Sequence, residues 1–186
     1  MNNKIVCIFG KKGTGKTTYI KNNILNFSEY KRILIIDILD EYTILKINKI
    51  YEINKFIKNY DFSIRIIPEN EEEYNFICEY IFNTENITVV FEEAAFYPVN
   101  EYILKLVRFG RHKKINQIYI TQRPYDINRN ITAMADEFII FNTTEPRDLD
   151  FFKKILPPIA VEKIKTLPKY HYLKYSPSIG YKINKL

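Results

Sequence analysis

The segment best suited to chemistry lies near the start of the sequence and has the spacing Gly-x-x-x-x-Gly-Lys-Thr of a phosphate loop. In such a loop, successive main-chain N–H groups form an anion-binding nest, which requires glycine at Gly10, Gly13 and Gly15. Lys16 adds positive charge toward the β and γ oxygens of a triphosphate, and the Thr17 hydroxyl can ligate Mg²⁺. We therefore expect this segment to bind ATP and Mg²⁺. The expected nucleotide-binding residues are Gly10, Lys11, Lys12, Gly13, Thr14, Gly15, Lys16, Thr17 and Thr18.

A second chemical feature is a pair of acids, Glu92 and Glu93, at the end of an apolar strand. Glu92 is placed to hold Mg²⁺, directly or through a water molecule, and Glu93 is placed to act as the general base toward the attacking water. Two adjacent acids after a strand also occur as an ordinary polar strand end. The phosphate loop upstream favours the catalytic interpretation.

Another polar strand end follows the predicted strand 115–121, where Gln122 stands next in the chain. If this strand lies between the phosphate-loop strand and the Glu92 strand, Gln122 faces the γ-phosphate and can orient the attacking water. Arg108 and Arg111 share one face of a predicted helix and are candidates for an arginine finger, which in a ring would come from the neighbouring subunit. On composition alone, a solvated basic helix face is the better explanation.

Apolar runs alternate with helical patterns along the chain, which predicts an α/β fold with a doubly wound, mostly parallel sheet. The predicted strands are 4–9, 32–37, 63–67, 87–92, 115–121 and 137–142, and the predicted helices are 16–27, 69–83, 99–112, 145–156 and 159–167. Short helical pieces are predicted within 40–60. The segment 170–185 alternates aromatic and polar residues, a pattern typical of a closing hairpin. Without repeats or linkers, the pattern predicts a single domain over 1–186.

Bulk composition narrows the class of protein only slightly. A chain of 186 residues with 46% hydrophobic residues can bury a substantial core. The net charge of +6 permits contact with nucleic acid or a membrane surface. Cys7 and Cys78 lie outside any CxxC or Cys/His cluster, so we expect reduced core cysteines, no zinc site and a cytoplasmic location. No apolar run is long enough to cross a bilayer.

At these residues the chain resembles the FtsK–HerA superfamily of DNA-pumping ATPases, and within it the small genome-packaging ATPases of membrane-containing icosahedral viruses. The segments that carry the resemblance lie within 4–142 and are 10–18, 37–42, 89–93 and 108–124. Asp37, Asp40, Glu41 and Tyr42 match an acidic segment that the family places after its second strand. Arg108 and Arg111 stand at the spacing of the family's arginines, and Arg111 is the first candidate. Glu92 departs from the aspartate usual in the family and is one methylene longer, which leaves the metal geometry open.

The resemblance implies a RecA-like fold, a homohexameric ring with double-stranded DNA in its pore, and translocation driven by ATP hydrolysis. It also implies docking on capsid or inner-membrane vertex proteins, in the host cytoplasm or on the virion. The short chain carries no separate DNA-guiding domain, which favours a viral packaging motor over a chromosome translocase.

A motor that moves any sequence should grip DNA phosphates rather than bases. Lys113 and Lys114, with His112, are candidate pore contacts, and a solvated basic face is the alternative interpretation. The basic stretch comprises Lys105, Arg108, Arg111, Lys113, Lys114, Arg123 and Arg129.

Two other functions remain open at this stage. A small-molecule kinase, such as a nucleoside or nucleotide kinase, also fits the size and the phosphate loop, but the acid pair and Gln122 favour water as the acceptor. A phage morphogenesis or export ATPase would share the core but usually carries a membrane-spanning segment, which this sequence does not show.

Overall fold

A nine-stranded sheet organises the computed structural model, which describes residues 3–26, 30–59 and 61–186. The strands lie in the order β3-β4-β2-β5-β6-β1-β7-β8-β9. Strands β1 to β7 are mutually parallel, and β8 and β9 continue the sheet as an antiparallel hairpin. The bounds are β1 Ile5–Phe9, β2 Ile33–Ile36, β3 Leu45–Lys46, β4 Ser63–Ile66, β5 Ile87–Phe91, β6 Ile115–Thr121, β7 Glu137–Phe141, β8 His171–Ser176 and β9 Gly180–Lys185. The predicted mostly parallel α/β sheet and its closing hairpin are confirmed.

The central strands are buried along their length because helices cover both faces of the sheet, and β1 and β2 are continuously apolar. Every residue of β1, β5 and β6 is buried. Ile5, Cys7 and Phe9 belong to the core on one face, together with side chains from α3 to α7, whereas Val6 and Ile8 pack with α1 on the other. The helices are α1 Lys16–Ile20, α2 Asn54–Ile57, α3 Glu71–Asn83, α4 Glu101–Phe109, α5 Arg129–Ala133, α6 Pro146–Phe152 and α7 Pro158–Lys165.

The first helix departs from the prediction of one regular element over 16–27. After α1 the chain continues as a π-helix, Lys21–Leu25, and Phe27 lies outside the described residues. The side-chain amide of Asn23 donates to the Tyr19 carbonyl at 3.1 Å, the acceptor that an α-helix would give to the Asn23 main-chain N–H. Because the Asn23 side chain competes with its own main-chain N–H for this carbonyl, the wider turn of a π-helix is favoured.

Smaller departures concern short elements. Helix α5 was not predicted, because five residues are too few to show a helical period. The region 40–60 contains the 3₁₀ turn Ile50–Ile53 and α2, as predicted, and also the two-residue strand β3. Cys7 and Cys78 are buried and unpaired, as expected. Within the described ranges, no helix combines the length and apolar character needed to span a bilayer.

Candidate nucleotide-binding site

The strand order brings the predicted site residues to one edge of the sheet. Strand β6 lies between β1 and β5, which is the condition under which Gln122 faces the phosphate loop. The C-terminal ends of these parallel strands border a cavity of about 480 Å³. Its lining comprises Lys12, Gly13, Gly15, Lys16, Thr17, Thr18, Leu39, Glu41, Glu92, Glu93, Gln122 and Tyr170. The cavity thus collects the phosphate loop, the acid pair and the glutamine.

The loop between β1 and α1 has a backbone that suits glycine at each of the three predicted positions. Gly13 and Gly15 adopt φ angles of +78° and +120°, which L side chains rarely adopt. A methyl group at Gly10 would lie 2.6 Å from the Cβ of Phe141, so the close approach of β7 also excludes a side chain there. The glycines therefore permit the curled main chain that an anion-binding nest requires.

Lys16 is the lysine that the loop holds at the cavity. Its side chain is buried, and the ammonium donates to the carbonyls of Gly10 at 2.8 Å and Lys11 at 3.3 Å. Burial lowers the pKa of Lys16, and three nearby glutamates act in the opposite direction. The neighbouring Lys11 side chain instead donates to the Thr144 hydroxyl at 3.1 Å, in an adjacent cleft. Lys16, and not Lys11, thus supplies the buried positive charge of the cavity.

Oxygen ligands suitable for Mg²⁺ stand beside this lysine. The Thr17 hydroxyl donates to a Glu41 carboxylate oxygen at 2.6 Å, and the Tyr42 hydroxyl donates to Glu92 at 2.8 Å. Burial raises the pKa of Glu92 to about 7, against the opposing influence of the Tyr42 hydrogen bond and of Lys16. In the part of the chain that the structure describes, no three His, Cys, Asp or Glu side chains form a metal cluster. This ligand set suits Mg²⁺, which binds through one or two carboxylates together with substrate phosphates.

Glu41 and Tyr42 reach the cavity because Asp37 organises the turn after β2. The buried Asp37 carboxylate accepts the main-chain N–H groups of Glu41 at 3.0 Å and Tyr42 at 3.1 Å. It also forms an ion pair with Arg65 at 2.9 Å. From the sequence, Glu41 and Tyr42 were identified only through the family resemblance, and no chemical role was predicted for them. The structure places both of them against residues of the predicted metal site.

Glu93 occupies an unusual backbone conformation for the residue predicted to act as base. Its φ angle is +46°, in the left-handed region, which costs a residue with a side chain about 1–2 kcal/mol. The Gln122 amide donates to a Glu93 carboxylate oxygen at 2.7 Å. Backbone strain of this kind clusters at functional sites, where the surrounding structure fixes it. Glu93 and Gln122 therefore form one hydrogen-bonded unit at the cavity.

The predicted arginine fingers lie at the opposite edge of the sheet. Arg108 belongs to the last turn of α4, and Arg111 precedes β6. Seven residues of β6, about 23 Å of strand, separate them from Gln122. Arg111 forms an ion pair with Asp136, whereas Arg108 is exposed and makes no hydrogen bond or ion pair with the described residues. Neither arginine can reach the cavity of its own chain.

The basic stretch is likewise divided between the two edges. Lys113 and Lys114 follow α4 at the edge opposite the cavity, where the Lys113 ammonium lies 4.9 Å from the Phe82 ring centroid. Lys105 pairs with Glu101 at 3.0 Å. Arg123 instead lines the cleft beside the cavity. The predicted concentration of positive charge is therefore weaker in space than it is in the sequence.

The parallel sheet, the phosphate loop after β1 and the acids after β5 define a RecA-like P-loop NTPase. Comparison with solved structures shows that the chain is similar to the genome packaging NTPase B204 from Sulfolobus turreted icosahedral virus 2 in complex with ATP-gammaS. The two are 25% identical with a TM-score of 0.84, over 100% of this chain and 98% of that one. The chain is also similar to B204, the DNA-packaging ATPase from Sulfolobus turreted icosahedral virus, at 26% identity and a TM-score of 0.77, with coverage of 100% and 98%.

A more distant structure shares the fold alone. The conjugation coupling protein TcpA of pCW3 matches with a TM-score of 0.57 at 12% identity, over 99% of this chain and 60% of that one. No protein-family profile matches the sequence, and neither does any curated protein. The resemblance to viral packaging ATPases, made on sequence motifs, is confirmed by the two B204 structures.

Proposed function

We propose that this chain is an Mg²⁺-dependent ATPase that translocates double-stranded DNA and packages a viral genome into a preformed capsid. One observation carries the proposal: a chain similar over its full length to viral packaging NTPases brings Lys16, Glu93 and Gln122 to a single cavity. The proposed assembly is a homohexameric ring, which docks on capsid or inner-membrane vertex proteins.

Hydrolysis in this proposal divides between residues with distinct tasks. The main-chain amides of the phosphate loop and Lys16 hold the β- and γ-phosphates. Thr17 and Glu92 would hold Mg²⁺, which neutralises charge on the phosphate oxygens. Glu93 accepts the proton of the attacking water as the new P–O bond forms and the β–γ bridge breaks, which yields ADP and phosphate.

Gln122 has two tasks that the geometry makes compatible. Its amide N–H holds the Glu93 carboxylate at 2.7 Å, so the base has a defined orientation. Its position directly after β6, next to the phosphate-loop strand, also allows the amide to contact the attacking water or the γ-phosphate. We therefore propose Gln122 as the residue that orients the water.

The arginine finger must come from another subunit, because about 23 Å of strand separates each candidate from the cavity of its own chain. In a head-to-tail ring, the edge of one subunit that carries α4 faces the cavity edge of the next. Arg108 and Arg111 remain the candidates. The Arg108 guanidinium is unpaired among the described residues, whereas Arg111 would have to leave Asp136.

The same edge offers the positive charge for DNA. Lys113 and Lys114, next to His112, lie between α4 and β6, and lysines of this kind bind phosphates without reading bases. A motor that uses them should lose DNA affinity steeply as salt rises, because each phosphate contact releases a counterion.

The test is the ATPase rate measured with and without double-stranded DNA, together with the mass of the assembly. We expect DNA to stimulate hydrolysis, Lys16→Ala to abolish ATP binding, and Glu93→Gln to abolish hydrolysis while ATP still binds. Glu85→Gln, an exposed loop change distant from the cavity, is the matched control and should leave the rate unchanged. A rate indifferent to DNA in an assembled ring would contradict translocation. Transfer of phosphate to a nucleoside would indicate a kinase instead.

A further inference from the structure

An aromatic ring from the end of the chain lies against the phosphate loop. Tyr170 lines the same cavity as Gly15, Lys16 and Thr18. A methyl group at Gly15 would lie 3.1 Å from the Tyr170 Cδ1 and 2.6 Å from the Leu186 Cδ1. The loop thus has an apolar wall on the side of Gly15. The sequence predicted a closing hairpin over 170–185 and pointed to no residue of it as part of the cavity.

The hairpin holds this tyrosine by its main chain and leaves its ring accessible. The Tyr170 carbonyl accepts the Leu186 N–H at 2.9 Å, and the following N–H, of His171, donates to Pro168 at 3.0 Å. Tyr170 has a φ angle of +62°, a conformation that residues with side chains rarely adopt. The residue nevertheless remains 44% exposed. A strained backbone that presents an accessible ring beside a cavity points to a ligand rather than to core packing.

The direction of a bound nucleotide follows from the residues on either side of Lys16. Glu93 and Gln122 border the cavity where the γ-phosphate would react, so the nucleoside would extend the other way, past Gly15. Tyr170 lines the same cavity and lies beside Gly15. The Lys169 ammonium lies 4.9 Å from the Tyr170 ring centroid and so covers one ring face. A planar partner would lie on the opposite face.

We propose that Tyr170, supported by Leu186, is the stacking wall of a nucleoside subsite, on which the base of the nucleotide lies. The proposal rests on the proposed function in one respect, because it takes a nucleoside triphosphate as the ligand. It adds the part of the site that recognises the base, and it gives the C-terminal hairpin a role in binding.

The test exploits the absence of tryptophan from the sequence. In a Tyr170→Trp variant the indole is the single tryptophan, and stacking of a base should quench its fluorescence. ATP should quench it, and inorganic tripolyphosphate, which fills only the phosphate loop, should not. Tyr51→Trp is the matched control, because Tyr51 is also an exposed tyrosine and lies on the distant 3₁₀ turn. Its fluorescence should not respond to ATP.

A second variant measures the contribution of the ring to affinity. Tyr170→Gly removes the ring and suits the left-handed backbone, so the hairpin should remain folded. We expect ATP to bind about tenfold more weakly and tripolyphosphate to bind unchanged, whereas Tyr170→Phe should bind ATP like the parent. Equal ATP affinity in Tyr170→Gly and the parent would overturn the stacking proposal alone. If the parent binds neither ATP nor tripolyphosphate, the proposed function itself fails.

Discussion

Glu92 should reduce the stability of the folded protein at neutral and alkaline pH, in the absence of nucleotide and metal. Its side chain is 1% exposed, and its pKa rises from the ordinary value of 4.5 to about 7. The folded state therefore binds this proton more tightly than the unfolded state does, and the free energy of unfolding falls as pH rises from about 4.5 to 7. Each pH unit corresponds to about 1.4 kcal/mol, so ionisation of Glu92 costs about 3 kcal/mol above pH 7.

Glu92→Gln removes this cost, because the amide has nearly the same shape and cannot ionise. Its carbonyl oxygen can still accept the Tyr42 hydroxyl. In urea titrations at pH 8 we expect Glu92→Gln to unfold with a free energy about 3 kcal/mol greater than the parent. At pH 4.5 the two should be nearly equal, since Glu92 is then protonated in the parent.

The control for this experiment is Glu85→Gln, an exposed loop glutamate that should change stability little at either pH. A Glu92→Gln variant that is no more stable than the parent at pH 8 would refute the reasoning. It would show that interactions in the folded state offset the free-energy cost of burying the ionised Glu92 carboxylate. Hydrolysis should decrease in the same variant, which would make Glu92 a residue retained for function against stability.

Three further predictions concern residues at or near the cavity and at the opposite edge of the sheet. Asp37→Asn should lower the free energy of unfolding by about 2 kcal/mol in urea titrations, because Arg65 keeps only its ion pair with the exposed Asp40 and the turn after β2 loses its charged acceptor; an unchanged midpoint would contradict this role. Arg111→Ala should cost at most about 1 kcal/mol of stability, since its pair with Asp136 is partly exposed, and Arg108→Ala should cost nothing measurable. In mixed assemblies, a hydrolysis-dead Lys16→Ala subunit keeps both arginines. It should restore ATP hydrolysis to a neighbouring Arg108→Ala or Arg111→Ala subunit if the substituted arginine acts in the neighbour's cavity. Glu93→Gly should abolish ATP hydrolysis and yet raise the melting temperature slightly, because glycine relieves the left-handed backbone; a lower melting temperature would argue against strain at this position.

Local sequence patterns predicted those parts of the fold that depend on local physics. Strand 115–121 was predicted with its observed bounds, since its β-branched and aromatic residues end at polar residues and Pro124. The phosphate loop was recognised because its function depends on glycines at fixed spacing along one segment. The acids after β5 and the glutamine after β6 were found for the related reason that parallel strands end at one edge of the sheet.

Contacts between distant segments could not be predicted from the sequence in the same way. The hydrogen bond from Tyr42 to Glu92 joins residues fifty positions apart, and the approach of Tyr170 to Gly15 spans most of the chain. No period or motif specifies such pairs, because they depend on strand order and on how the hairpin docks. The left-handed backbone at Glu93 was equally hidden, since glutamate has no preference for that conformation.

The two outer strands of the sheet limit how neighbouring chains can meet. Strand β3 has only two residues, and the edge strand β9 carries the exposed Lys182 and Lys185. A short strand and a lysine-bearing strand both discourage main-chain pairing between molecules. In the proposed ring, neighbouring subunits would therefore join through side chains of helices and loops. Such contacts can break and form again during each cycle of ATP hydrolysis while every sheet keeps its own hydrogen bonds.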